Sequence, residues 1–159
     1  MAVPLVKSAS LLEAVLLVRA HAWYCAIPVA SVTETCRPLP VQPVEGMPAF
    51  VRGITVMRGK TTPVIHLGMM LAGGSIEPGR RFVAVQVRGS PVVFEVDETI
   101  GVRHLPRSQL DTTTPLTHGG ATDRLDGVGV FNNELLAWLD TARIVQDDLL
   151  DLVLSEGWT

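Results

Sequence analysis

Few side chains in this sequence are of a type and spacing that could carry chemistry: Cys25 and Cys36, the four histidines His21, His66, His104 and His118, the carboxylate pairs Asp97-Glu98 and Asp147-Asp148, and Arg58 beside Gly59. A thiol next to an imidazole makes a nucleophile pair. Cys25 or Cys36 with a remote histidine is therefore the enzymatic reading, and it demands a thiol of lowered pKa that solvent can reach. The bland alternative is two buried or half-buried free thiols. The histidines show neither H-x-x-x-H nor H-E-x-x-H spacing, so no metal site is expected. Ser90, between Gly89 and Pro91, lacks a nucleophile elbow. Gly53 to Gly59 is one residue too long for a phosphate loop and sits among strand-like residues, which leaves Gly59-Lys60-Thr61 as a hairpin. The carboxylate pairs read as solvated charge at a strand end and on a helix face. Neither catalysis nor a cofactor is expected. Arg58 differs, because a guanidinium at a hairpin tip offers five donors to carboxylates or carbonyls.

The elements that must position these residues are mostly strands. Val15 to Val18 and Trp23 to Ile27 flank Arg19-Ala20-His21-Ala22 as a hairpin whose turn lacks glycine. The prolines of Arg37 to Pro43 impose an extended connector. Phe50 to Met57 and Thr62 to Leu67 form a second hairpin around Arg58-Gly59-Lys60, followed by a helical turn at Met69 to Leu71 and a loop from Ser75 to Arg80. Phe82 to Val87 and Val92 to Val96 make a third hairpin. A polar loop runs from Arg107 to Asp126, and Val128 to Phe131 pairs with Leu135 to Leu139 across Asn132-Asn133. A C-terminal helix is expected over 140–156, capped by Asp140 or Thr141, with Ile144 or Val145, Leu149, Leu152 and Val153 as its apolar stripe.

Composition narrows the function further. The chain has 159 residues, 13 Lys+Arg against 16 Asp+Glu, and a net charge of −3. No basic patch marks a nucleic-acid binder. The apolar run Ala14 to Val18, bounded by Glu13 and Arg19, is far too short to cross a bilayer, and the acidic C-terminal helix repels anionic lipid. No secretory signal opens the chain, so a cytoplasmic setting is expected. With 47% hydrophobic and 18% charged residues there is ample material for a core, drawn from aliphatics because only 5% are aromatic.

An internal echo organises the pattern. Gly53 to Lys60 superimposes without a gap on Gly127 to Glu134, turn on turn, and a strand ending in Val32 matches one ending in Ile100 at a shorter offset. Two similar small β-barrels packed together would account for it.

With these residues placed, the sequence resembles the CheW-like domain family. The resemblance rests on Tyr24 to Pro28, Val32-Thr33-Glu34, the proline-rich 37–43, Phe50 to Gly59, Pro63 to Leu67, Val92 to Asp97 with Val102, and Gly127 to Asp140. It covers 14–145 and implies a mainly β fold of two intertwined five-stranded SH3-like barrels, one about 14–75 and the other about 80–140, with the C-terminal helix. It implies a non-enzymatic, cytoplasmic coupling adaptor that joins the helical tip of a chemoreceptor to the regulatory domain of a histidine kinase, without entering the membrane. By position, the receptor groove carries over onto Val32, Glu34, Gly53, Arg58 and Val102: valines for apolar contact, Gly53 for close approach, and Glu34 and Arg58 to fix register by charge. Val56-Met57 replaces the usual Asn-Leu and His66 the usual Asp, so these three positions are candidates for altered specificity. The missing turn glycine at Arg19 to Ala22 implies at most a lengthened turn. Met1 and the end soon after the second barrel match a stand-alone coupler. A scaffold with another partner in a non-motility pathway is the close variant.

Overall fold

A computed structural model describes residues 11–73, 77–110 and 125–144. Ten strands form two sheets: β1 (Leu12–Ala20), β2 (Trp23–Pro28), β3 (Val32–Cys36), β4 (Val51–Met57), β5 (Lys60–His66), β6 (Arg81–Val87), β7 (Ser90–Val96), β8 (Glu98–Pro106), β9 (Leu125–Phe131) and β10 (Glu134–Leu139). Two short helices accompany them, α1 (Leu67–Ala72) and α2 (Thr141–Ile144). One sheet has the order β8-β1-β2-β10-β9, the other β3-β6-β7-β5-β4. Each is antiparallel except for one parallel pair, β2 with β10 and β5 with β7.

The two orders are the same pattern, which gives the echo its physical basis. The hairpins β4–β5 and β9–β10 take equivalent edge places, and β3 and β8 are the opposite edges. The sheets do not follow a cut between 75 and 80, however. One is built from 32–96 without interruption, while the other takes its first two strands from the start of the chain and the other three from 98–139. The chain thus starts one sheet, completes the second, and returns to finish the first.

Burial explains the continuous apolar runs. In β1, Val15 and Leu17 face one cluster with Tyr24, Ala26, Leu136 and Trp138, while Leu16, Val18 and Ala20 face a larger one. In β6, Phe82 and Ala84 pack with Met57, Val64 and Val93, while Val83, Val85 and Val87 join that same larger cluster. The central core lies between the sheets, and each sheet has a smaller core on its other face. Strands buried on both faces need no polar alternation.

Several local expectations are corrected. The first turn is not lengthened: Ala20 pairs directly with Trp23, and His21 adopts the left-handed conformation (φ 58°) that histidine tolerates better than most residues. The Asp97 carboxylate accepts the His21 backbone N–H at 2.8 Å, so this carboxylate locks a turn. Val32 opens β3 instead of ending a strand, after a 3-10 turn at Val29–Ser31, and Ile100 lies inside β8. β8 itself escaped the sequence reading because it is an outer strand, largely exposed or half-exposed, with no apolar alternation to betray it. Leu125 and Asp126 belong to β9 and not to the preceding loop; 111–124 lie outside the described residues. Of the helix expected over 140–156, the described part is the four residues of α2, with the buried Ile144 donating its N–H to the Asp140 carbonyl; 145–156 lie outside the described residues.

Candidate functional site

The sharpest polar geometry on the surface joins the two edges of the β3-β6-β7-β5-β4 sheet. Arg58 and Gly59 both take positive φ (51° and 79°), making a tight two-residue turn whose twist suits paired strands. From this tip Arg58 reaches Glu34 on β3: Nε donates to Oε2 at 2.6 Å and Nη2 donates to Oε1 at 3.0 Å. Such a two-pronged pair fixes orientation as well as distance. The Arg58 side chain is 76% exposed and that of Glu34 29%. The Arg58 hydrogen bonds hold the Glu34 carboxyl below its ordinary pKa, and the carboxylate in turn raises Arg58. Both charges persist at neutral pH. Thr33, Met57, Lys60, Ala84, Gln86 and Pro91 line the open cleft beside them.

The other groove candidates are placed less uniformly. Gly53 has φ +139°, and a Cβ there would lie 2.0 Å from the Gln42 carbonyl oxygen. The close approach it permits is made by the chain itself: Gln42 and Ile54 exchange backbone hydrogen bonds of 2.8 and 2.9 Å. The proline-rich connector thereby covers the outer edge of β4. Val32 is half-buried against the central core, and Val102 stands 53% exposed on the other sheet, where β8 pairs with β1. Glu34 and Arg58 are thus brought into contact, Gly53 is occupied by its own chain, and Val32 and Val102 sit on opposite sheets.

Of the three positions that depart from the family pattern, Val56 alone is at the surface, at 65% exposure. Met57 points inward with Val64, Phe82 and Val93, as strand alternation requires. His66 is buried, and its ring is fully committed. Nδ1 accepts the Met69 N–H at 3.1 Å, capping α1, which leaves Nε2 to carry the proton toward the Glu77 carbonyl at 3.0 Å. His66 is thus closed off from the surface, while Met57 shows only a small edge to the cleft beside Arg58.

The thiols lack what a nucleophile needs. Cys25 is fully buried, and burial, reinforced by the Asp97 charge, pushes its pKa far up. Cys36 is raised too, by burial first and then by Glu34. A reactive cysteine requires the opposite shift. Among the described residues no His, Cys, Asp and Glu gather as a metal site, and no helix is long and apolar enough to cross a membrane.

The sequence reading missed two groups. Glu95, buried on β7, accepts the Gly79 N–H at 2.8 Å and lies 3.8 Å from Arg52; only its interruption of an apolar run signalled it. Arg107, just past β8, bonds Glu13 and Asp126 and lies 5.1 Å over the Trp138 ring, a union of three distant segments that no local pattern announces.

The arrangement suits protein recognition: an exposed, oriented arginine on a rigid β scaffold, with neither thiol activated. The CheW-like domain model matches residues 14–149. The chain belongs to the CheW-like domain family, a family of chemotaxis coupling adaptors. Protein FrzA of Myxococcus xanthus is 31% identical over 124 residues, 76% of this chain and 77% of that protein. Chemotaxis protein CheW of Thermotoga maritima is 26% identical over 118 residues, 74% of each. The crystal structure of the scaffolding protein TtCheW from Thermoanaerobacter tengcongensis superimposes with a TM-score of 0.69 over 81% of this chain and 89% of that one, at 18% identity, a likeness of fold.

Proposed function

We propose that this chain works as a non-enzymatic, cytoplasmic coupler, recruited to receptor arrays, that binds the helical tip of a chemoreceptor and the regulatory domain of a histidine kinase. The observation that carries the reading is the Glu34–Arg58 pair: a CheW-like chain presents an exposed guanidinium in fixed orientation at a hairpin tip. In this reading the two five-stranded sheets are intertwined SH3-like barrels of one domain, closed by a C-terminal helix over 140–156. Val32 and Val102 supply apolar contact to the receptor, Arg58 and Glu34 set its register, and Val56 tunes the choice of partner. Gly53 acts indirectly, by letting the connector seat on β4. The raised pKa of both thiols supports the non-enzymatic assignment.

Calorimetric titration of the full chain with the regulatory domain of a histidine kinase from the same genome, with and without a receptor tip, tests the reading. Micromolar binding, about −8 kcal/mol, is expected. Arg58→Ala should weaken the ternary complex at least tenfold with the fold intact. Because Val102 is exposed, Val102→Asp should fold and lose receptor more than kinase. No binding to any such kinase would remove the adaptor role, and equal losses of both partners would remove Val102 from the receptor groove.

A further inference from the structure

Most arginines of the described surface are held by neighbours. Arg19 bonds Glu134, Arg52 faces Glu95, Arg58 is gripped by Glu34, Arg103 donates to the Val102 carbonyl, and Arg107 joins Glu13 and Asp126. Arg37, Arg80 and Arg81 instead converge on one open cleft with Pro38, Asp97, Glu98 and Thr99, and none of the three guanidinium groups has an ion-pair partner among the described residues. The cleft lies where the chain crosses from β7 to β8, at the seam between the sheets, and shares no lining residue with the cleft beside Arg58.

Its backbone is fixed in advance. Arg80 donates its N–H to the Val96 carbonyl at 2.9 Å, and Asp97 donates to the Arg19 carbonyl at 2.9 Å. A Cβ on Gly79 would lie 2.6 Å from the Val96 oxygen, so Gly79 lets the segment that carries Arg80 into β6 close tightly onto β7. One Asp97 oxygen is engaged by the His21 N–H, and Glu98 is the remaining acid. Three like charges thus repel one another at one place with incomplete local compensation, on a chain whose net charge is −3.

We propose that this cleft is a second docking site, taking an acidic segment of a protein partner through two or more carboxylates. Guanidinium forks match carboxylate geometry two-pronged, and Pro38 offers an apolar shoulder beside them. The acids at the rim oppose a continuous phosphodiester track or an anionic lipid surface. No aromatic side chain lines the cleft to stack a nucleotide base. The assignment does not depend on the role of Arg58.

Titrating the isotopically labelled full chain with a hexaglutamate peptide tests it, read by backbone amide shifts. Shifts are expected at Arg37, Arg80, Arg81 and Asp97 to Thr99, with Glu34 and Arg58 unmoved. The double variant R80E/R81E should weaken the peptide at least tenfold; the single reversal Arg81→Glu should weaken it at least threefold, and Arg88→Glu, which makes the same change of charge outside the cleft, less than twofold. If the double reversal disturbs β6, Arg37→Gln, outside any strand, is expected to weaken binding about threefold in its place. Shifts spread over all basic residues, or equal weakening by Arg88→Glu, would overturn the site. Inorganic phosphate moving the same amides as strongly at equal concentration would overturn the acidic-segment assignment in favour of a simple anion site.

Discussion

The hairpins β4–β5 and β9–β10 occupy the same place in their sheets and are secured differently. In the first, Arg58 at the tip reaches across to Glu34, in solvent. In the second, one tying arginine is Arg107, which comes from beyond β8 to meet Asp126 near the base of β9, over the buried Trp138. The second tip, Asn132-Asn133, carries no guanidinium of its own; the clasp beside it comes from β1, where Arg19 grips Glu134 at 3.1 and 3.3 Å, and the strands beneath set Val130 opposite Leu135, both exposed. One repeat puts its charge where a partner can use it. The other spends it on holding the fold.

The largest effects should separate these two uses. Trp138→Ala removes a fully buried indole from beneath Arg107 and should cost about 3–5 kcal/mol, read as a lower denaturant midpoint. Arg58→Ala should shift that midpoint little while weakening the partner complex. If both variants lost the same stability, the distinction between base and tip would fail.

Next in size is Gly53→Ala, which must push the Gln42 carbonyl away from β4 and hold alanine at φ +139°. A loss of roughly 3 kcal/mol is expected. Gly59→Ala, where a Cβ meets open space and only the positive φ is strained, should lose about 1 kcal/mol. Similar losses at the two glycines would mean that the connector is not seated on β4 in solution.

The turn residues allow a test in which stability and function move apart. Arg58 bears a left-handed backbone that asparagine adopts more readily, and Asn132 already does so at the equivalent tip. Arg58→Asn should therefore keep or raise stability, by up to about 0.5 kcal/mol, while weakening partner binding tenfold or more. A destabilised variant would show that the Glu34 pair holds the sheet edges together after all.

These contrasts also show what the sequence could and could not disclose. Turn and strand periods along Gly53 to Lys60 and Gly127 to Glu134 revealed two equivalent hairpins, because a two-residue turn and a buried strand are local facts. The exchange of strands between sheets was hidden, since the parallel pairing of β2 with β10 depends on residues more than a hundred positions apart. Glycine 53 announced a close approach without naming Gln42 as its occupant. Arg58 stood out by its turn, yet nothing local identified Glu34 as its acceptor. For Met57 and His66, candidates for altered specificity, the departure from a family pattern carried no information about which way the side chain points: Met57 packs inward and His66 is buried.

The smallest expected effect concerns pH. Arg58 lowers the pKa of Glu34, so any stabilisation from the pair is complete above the ordinary glutamate value of about 4.3 and is lost as pH falls through the lowered one. Partner affinity should therefore show no pH dependence arising from this carboxylate between pH 6 and 8. Glu34→Gln tests this: it removes the titrating group but leaves a side-chain oxygen to accept from Arg58. The variant should bind somewhat more weakly than the parent at every pH in that range, by a constant factor. A ratio of affinities that changed with pH there would mean that Glu34 titrates near neutrality, and the guanidinium would then be unclasped in the free protein. The β4–β5 tip would then lack a fixed polar pair, unlike the β9–β10 hairpin, where Arg19 holds Glu134.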